Sequence, residues 1–208
     1  MRIETINVGE MRTNCYLAWD ETTGRGFLVD PGEQAEKIIR VCSCYQVTPE
    51  AVLLTHGHFD HIMVAKKIRQ QYQIPVYAGV HEEELLADSE MNLSGMWAVP
   101  YTMKADKLVN DNDVISIAGM EFTVIETPGH TPGGVCYYSK KENVLFAGDT
   151  LFSESYGRTD FPGGSMSALL RSLRGKLFVL PEETDVYPGH GQATSIGYEK
   201  IHNPAAGM

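Results

Sequence analysis

The sequence predicts an α/β protein in which two mixed β-sheets pack as a sandwich with helices on the outer faces. Three observations predict it. Strand-like and helix-like segments alternate along the chain without a linker-like or low-complexity break. Strand-like segments outnumber helical ones, and they fall into two halves that each end in helices, the order expected of two packed half-sheets. The chain has 208 residues, 43% of them hydrophobic, enough for a sizeable core, and it reads as one domain over 1–208.

In order, 3–8, 14–19 and 26–29 have the alternation or short apolar runs of strands. Asp20-Glu21-Thr22-Thr23-Gly24 is turn chemistry between the last two. Asp30-Pro31-Gly32 ends the third strand, and 34–45 has helical spacing at 35, 38, 39, 41 and 42. The run Ala51-Val52-Leu53-Leu54 reads as a buried strand, and 62–71 as a helix. A strand at 75–78 leads to a short acidic helix opening at His81. The stretch 91–105 is the least regular, with the length expected of a lid or binding wall, or of a loop pinned by its aromatic residues. Then come strands at 114–117, 121–125, 134–138 and 144–146. A helix follows at 165–173 with Ser165 as its cap, then a strand at 185–187 and a helix at 195–201.

The formal net charge is −10 and no Lys/Arg-rich run occurs, which argues against a nucleic-acid backbone or an anionic membrane as the main partner. No apolar run approaches a membrane span, and Met1-Arg2-Ile3-Glu4 enters strand alternation without an apolar signal core. The four cysteines, at 15, 42, 44 and 136, form no CxxC. The expectation is reduced thiols in a cytoplasmic protein, with Cys15 and Cys136 in the core and Cys42 and Cys44 on different faces of a helix.

The densest chemistry is Thr55-His56-Gly57-His58-Phe59-Asp60-His61, on the turn between the strand at 51–54 and the following helix. That turn aims His56 and His58 from the loop and Asp60 and His61 from the first helical turn. Three further candidates follow later strands: His130 in Thr127-Pro128-Gly129-His130, Asp149 in Ala147-Gly148-Asp149, and His190 in Tyr187-Pro188-Gly189-His190. Adjacent glycines remove the Cβ atoms that would crowd a closely packed site.

Five imidazoles and two carboxylates exceed the needs of one ion, since zinc takes four or five ligands. They fit two divalent ions if one carboxylate is shared. His56, His58 and His130 are assigned to the first ion and Asp60, His61 and His190 to the second, with Asp149 bridging. This donor set suits zinc, with iron and manganese as alternatives. Two ions about 3.5–4 Å apart can hold a bridging hydroxide and polarise a carbonyl, so no serine or cysteine nucleophile is required. Asp60 and Asp149 are the candidate catalytic carboxylates.

His56-x-His58-x-Asp60-His61 with His130, Asp149 and His190 resembles the metallo-β-lactamase superfamily, over about residues 3 to 198. The resemblance implies an αββα sandwich. Within the superfamily, Thr127-Pro128-Gly129-His130-Thr131-Pro132-Gly133, Phe146-Ala147-Gly148-Asp149-Thr150-Leu151-Phe152 and Gly157-Arg158-Thr159-Asp160-Phe161-Pro162-Gly163-Gly164 resemble glyoxalase II-like hydrolases of the short bacterial type. Such enzymes hydrolyse the thioester S-lactoylglutathione, so the resemblance implies a small-molecule thioester substrate. It also places Asp30 in support of the metal ligands. The long enzymes carry a C-terminal helical domain and a Lys and Tyr that contact glutathione; here Arg158 keeps the charge and Asp160 stands where the Tyr would be. Arg158 is therefore the candidate substrate-binding residue, with Asp160 its expected partner. A second reading from the same superfamily is a persulfide dioxygenase with one ferrous ion on His56, His130 and Asp149. His81 and His202 read as surface residues.

Overall fold

The computed structural model describes residues 1–207. The first half forms a six-stranded sheet from β1 (Arg2–Val8), β2 (Thr13–Trp19), β3 (Arg25–Val29), β4 (Thr48–Leu53), β5 (Val76–Gly79) and β6 (Lys107–Val109), in that spatial order. β1, β2 and β3 pair antiparallel, and the pairs from β3 to β6 are parallel. The second half forms a sheet from β7 (Val114–Ile117), β8 (Met120–Glu126), β9 (Val135–Ser139), β10 (Val144–Gly148), β13 (Asp185–Pro188) and β14 (Thr194–Ser195). Its order is β14-β13-β10-β9-β8-β7, with only the β10–β13 pair parallel. Between β10 and β13 lies a small hairpin of β11 (Leu151–Phe152) and β12 (Ser155–Tyr156).

Period-two patterning explains the layers. In β2 every residue is buried, and the two faces go to different cores. Tyr16 and Ala18 face the central layer between the sheets with Phe27, Leu53, Phe122, Tyr137 and Phe146. Cys15, Leu17 and Trp19 face the outer layer with Leu28, Val52, Ile38 and Cys42 of α1 (Ala35–Cys44), and Ile68 of α3 (Ala65–Tyr72). A strand buried on both faces reads as a nearly continuous apolar run, as β2 does. On the far side, Leu145, Leu173 and Val186 pack with Leu169 of α6 (Met166–Ser172) and Ile196 of α7 (Ile196–His202). The expected two-sheet sandwich with outer helices is the observed architecture. Among the described residues, no helix is long and apolar enough to cross a membrane.

Two expectations are corrected. The helix expected over 62–71 is two helices, α2 (Phe59–Ile62) and α3, because Val64 leaves helical geometry and its N–H donates to Pro31 O at 3.3 Å. The stretch 91–105 contains one helical turn, α5 (Ser94–Trp97), started by the Asn92 side chain accepting from Ser94 N–H at 2.9 Å. The short strands β6, β11, β12 and β14 have no counterpart among the expected segments, since two or three residues display no period. The expected cap on α6 is present: Ser165 Oγ accepts from Ala168 N–H at 3.4 Å.

Candidate metal centre

All seven candidate ligands converge at one end of the sandwich, just past the C-terminal ends of β4, β8, β10 and β13. His56 and His58 come from the loop after β4, and Asp60 and His61 from α2. His56, His58 and His130 bring ligand atoms within 4.8 Å of one another, as do Asp60, His61 and His190. Asp149 stands between the groups, with Oδ2 at 3.5 Å from His130 Nε2 and 3.6 Å from His190 Nε2, and Oδ1 at 3.5 Å from His61 Nε2. Glycine permits this approach. A Cβ on Gly189 would collide with Asp149 Oδ1, and Gly148, at φ +49°, faces the Thr55 side chain.

Hydrogen bonds at the far side of the imidazoles fix which nitrogen faces the centre. Asp30 Oδ2 accepts from His61 Nδ1 at 3.0 Å and from the Thr55 hydroxyl at 2.6 Å; that hydroxyl lies 3.1 Å from His56 Nδ1. Asp30 thus aligns one imidazole of each group, in the supporting place implied by the resemblance. His130 Nδ1 donates to the Arg158 carbonyl at 2.7 Å. The lone pairs at Nε2 of His56, His61 and His130 are left for the centre. On the second group, the Thr13 hydroxyl donates to Asp60 Oδ2 at 2.7 Å. The Asn14 side chain donates to the carbonyls of Pro188 and Gly191 at 3.0 Å each, holding the His190 loop. Thr13 and Asn14 carried no sequence signal beyond their place at the start of a strand.

The donor set fits cations. His56 Nε2, His61 Nε2 and Asp149 Oδ1 are buried without a hydrogen-bond partner among the described residues, an arrangement costly in itself. His58 Nδ1 and His130 Nε2 lie 2.9 Å apart, where two ring nitrogens repel unless a proton or cation lies between them. Burial, followed by the neighbouring imidazoles, holds His58 down at about 3. Burial also works against a charged His61, yet Asp60, Asp149 and Asp30 outweigh it and push that imidazole up to about 10. In the first group His56 and His58 are thus neutral nitrogen donors, and the second group is a site that calls for positive charge.

A cleft of about 340 Å³ opens over Asp60, Asp149, His58, His130 and His190. Its walls include Trp97 from the irregular stretch 91–105, and Met11, Leu93, Phe152 and Phe161, which sequence reasoning did not single out. Trp97 and Phe161 meet edge to face at 5.7 Å, so the irregular stretch lines the cleft as well as packing against it. Arg158 reaches the cleft, but its guanidinium stacks on Phe161, with Cζ 4.0 Å from the ring centroid. It also donates to both oxygens of Asp160 at 2.7 and 2.6 Å, the expected pair. His81 and His202 are exposed, and Cys15, Cys42 and Cys136 are buried while Cys44 is not.

A family model described as the metallo-beta-lactamase superfamily matches residues 8–190. The probable metallo-hydrolase YqgX of Bacillus subtilis is 38% identical over 98% of this chain and 97% of its own. Hydroxyacylglutathione hydrolase GloC of Haemophilus influenzae is 33% identical over the same shares, 98% and 97%. Among solved structures, the BLEG-1 B3 metallo-beta-lactamase is 41% identical with a TM-score of 0.95, each chain covered completely (100%). TTHA1623 in a di-iron-bound form is 34% identical with a TM-score of 0.86, covering 97% of this chain and 98% of that one. ETHE1 from Myxococcus xanthus is 33% identical with a TM-score of 0.81, covering 100% and 85%.

Proposed function

Because the chain belongs to the metallo-beta-lactamase superfamily, we propose that it is a dinuclear metal-dependent hydrolase of thioesters, with S-lactoylglutathione or a related hydroxyacylglutathione as substrate. The observation that carries the reading is Asp149, a single carboxylate facing imidazoles of both ligand groups. His56, His58 and His130 would hold one divalent ion and Asp60, His61 and His190 the other, with Asp149 shared; zinc suits the donors, and iron is supported by the di-iron neighbour. When bound, such a pair polarises an acyl carbonyl and ionises a water near neutral pH. The chain's own residues prepare that chemistry. Asp30 and the Arg158 carbonyl keep protons on the outer nitrogens of the imidazoles, so their inner lone pairs stay available. The aromatic wall of Trp97, Phe152 and Phe161 limits water and leaves room for a small acyl group. Arg158 would meet a substrate carboxylate at the mouth, in exchange for Asp160.

GloC supports the hydroxyacylglutathione assignment, and ETHE1 resemblance is the reason to test the dioxygenase alongside it. The test is S-lactoylglutathione turnover measured with and without oxygen. Equal hydrolysis in both conditions is expected. Oxygen-dependent consumption of a persulfide by a one-iron protein, with no thioester cleavage, would assign the dioxygenase instead.

A further inference from the structure

We propose that Glu82 is a positioning residue that sets the spacing of the two loops carrying His56, His58 and His130; this rests on the metal-site reading above. Glu82 ends the 3-10 turn Val80–Glu82 that precedes α4 (Glu83–Ala87). In sequence it looks like one solvated acid in a run of three, yet it is fully buried. Its Oε2 accepts from the N–H of Gly57, the residue between His56 and His58, at 3.0 Å. Its Oε1 accepts from the N–H of Gly133 at 2.9 Å and from the hydroxyl of Thr131, the residue after His130. One side chain therefore spans both ligand loops of the first group.

Packing does not require a carboxylate there. A buried carboxylate is costly, and burial pushes this one up to about 7 against the three hydrogen bonds that favour its charge. An apolar side chain would fill the space and leave Gly57 and Gly133 N–H groups unpaired. The contacts are close ones. A Cβ on Gly57 would lie 2.6 Å from Leu85 Cδ2 and 3.1 Å from Glu82 Oε2. On Gly133 it would collide with the His81–Glu82 peptide. Glycine at both positions lets the turn press against the loops, and the two acceptor oxygens tie them together. Glutamine has one acceptor, so it can satisfy only one of the two backbone N–H groups.

The test is titration of the full chain with cobalt(II) in competition with a chromophoric chelator, read with the cobalt d–d spectrum. E82Q is expected to weaken the first-site affinity about tenfold or more and to alter the spectrum, the size found when a group supporting a metal ligand is lost. Thr131→Val, which removes one of the three contacts, is expected to weaken it less. A folded E82Q with wild-type affinity and spectrum, whatever its melting temperature, overturns the proposal. Should E82Q fail to fold, Thr131→Val with unchanged cobalt affinity overturns it equally. The readout is metal affinity, so a wild-type protein that binds cobalt yet cleaves no thioester fails the functional reading alone.

Discussion

Asp149 faces His61, His130 and His190, which reach it from three separate segments of the chain. Asp149→Ala removes the shared donor, and the thioester kcat/KM is expected to fall roughly a hundredfold to a thousandfold, the loss of several kcal/mol of charge stabilisation. His81→Ala is the control: this exposed imidazole lies 3.8 Å from Glu126, away from the cleft, and steady-state rates should stay within about twofold. The reverse order of damage would displace the site. At Arg158 the pairing with Asp160 decides the experiment, because the guanidinium must leave one carboxylate to hold another. Arg158→Ala is expected to raise KM for S-lactoylglutathione about tenfold, the loss of one charge-assisted contact. Asp160→Asn should lower KM by freeing the guanidinium. If neither variant moves KM, the pair is structural and the substrate carries no carboxylate at that place.

α2 is the element on which the second ligand group depends, since it is a single turn carrying both Asp60 and His61. It lies against Gly32, where an added Cβ would collide with the Asp60 carbonyl. Gly32→Ala is therefore expected to lower the melting temperature by roughly 2–12 °C, from about 1–3 kcal/mol of overpacking. It should also lower second-site metal occupancy, read by elemental analysis; an unchanged melting temperature and metal content would refute the contact. This element also marks where sequence reasoning worked and where it stopped. His56, His58, Asp60 and His61 were legible because four ligand residues within six positions on a strand-to-helix turn have few other uses. The break at Val64 was not, because it depends on a tertiary bond to Pro31. Glu82, Thr13 and Asn14 were hidden for a related reason. Their role comes from what approaches them in the folded chain, and neighbouring residues in sequence say nothing of that. Phe152 and Phe161 lie inside the motifs after Asp149 and Gly157, yet their direction into the cleft follows only from the packed loops.

Across the whole molecule, the two sheets bury Tyr16, Phe27, Phe122, Tyr137 and Phe146 between them, and each sheet brings ligands to one end. The first sheet supplies His56, His58, Asp60 and His61, and the second supplies His130, Asp149 and His190. Ions held there would join the two halves of the chain, and a ligand that binds only the folded state stabilises it by mass action. Chelation is expected to lower the melting temperature by roughly 5–11 °C, from about 2.7 kcal/mol at a hundredfold excess over the dissociation constant. Unchanged melting after full metal removal would show that the centre does not tie the sheets together. The alternation of strands and helices made this architecture legible from the sequence, since each sheet is built largely from consecutive strands. The proposed centre holds two ions that share Asp149. Elemental analysis of the full chain after reconstitution with excess zinc tests it most directly: two ions per chain is the predicted result, and a plateau at one ion per chain would contradict it.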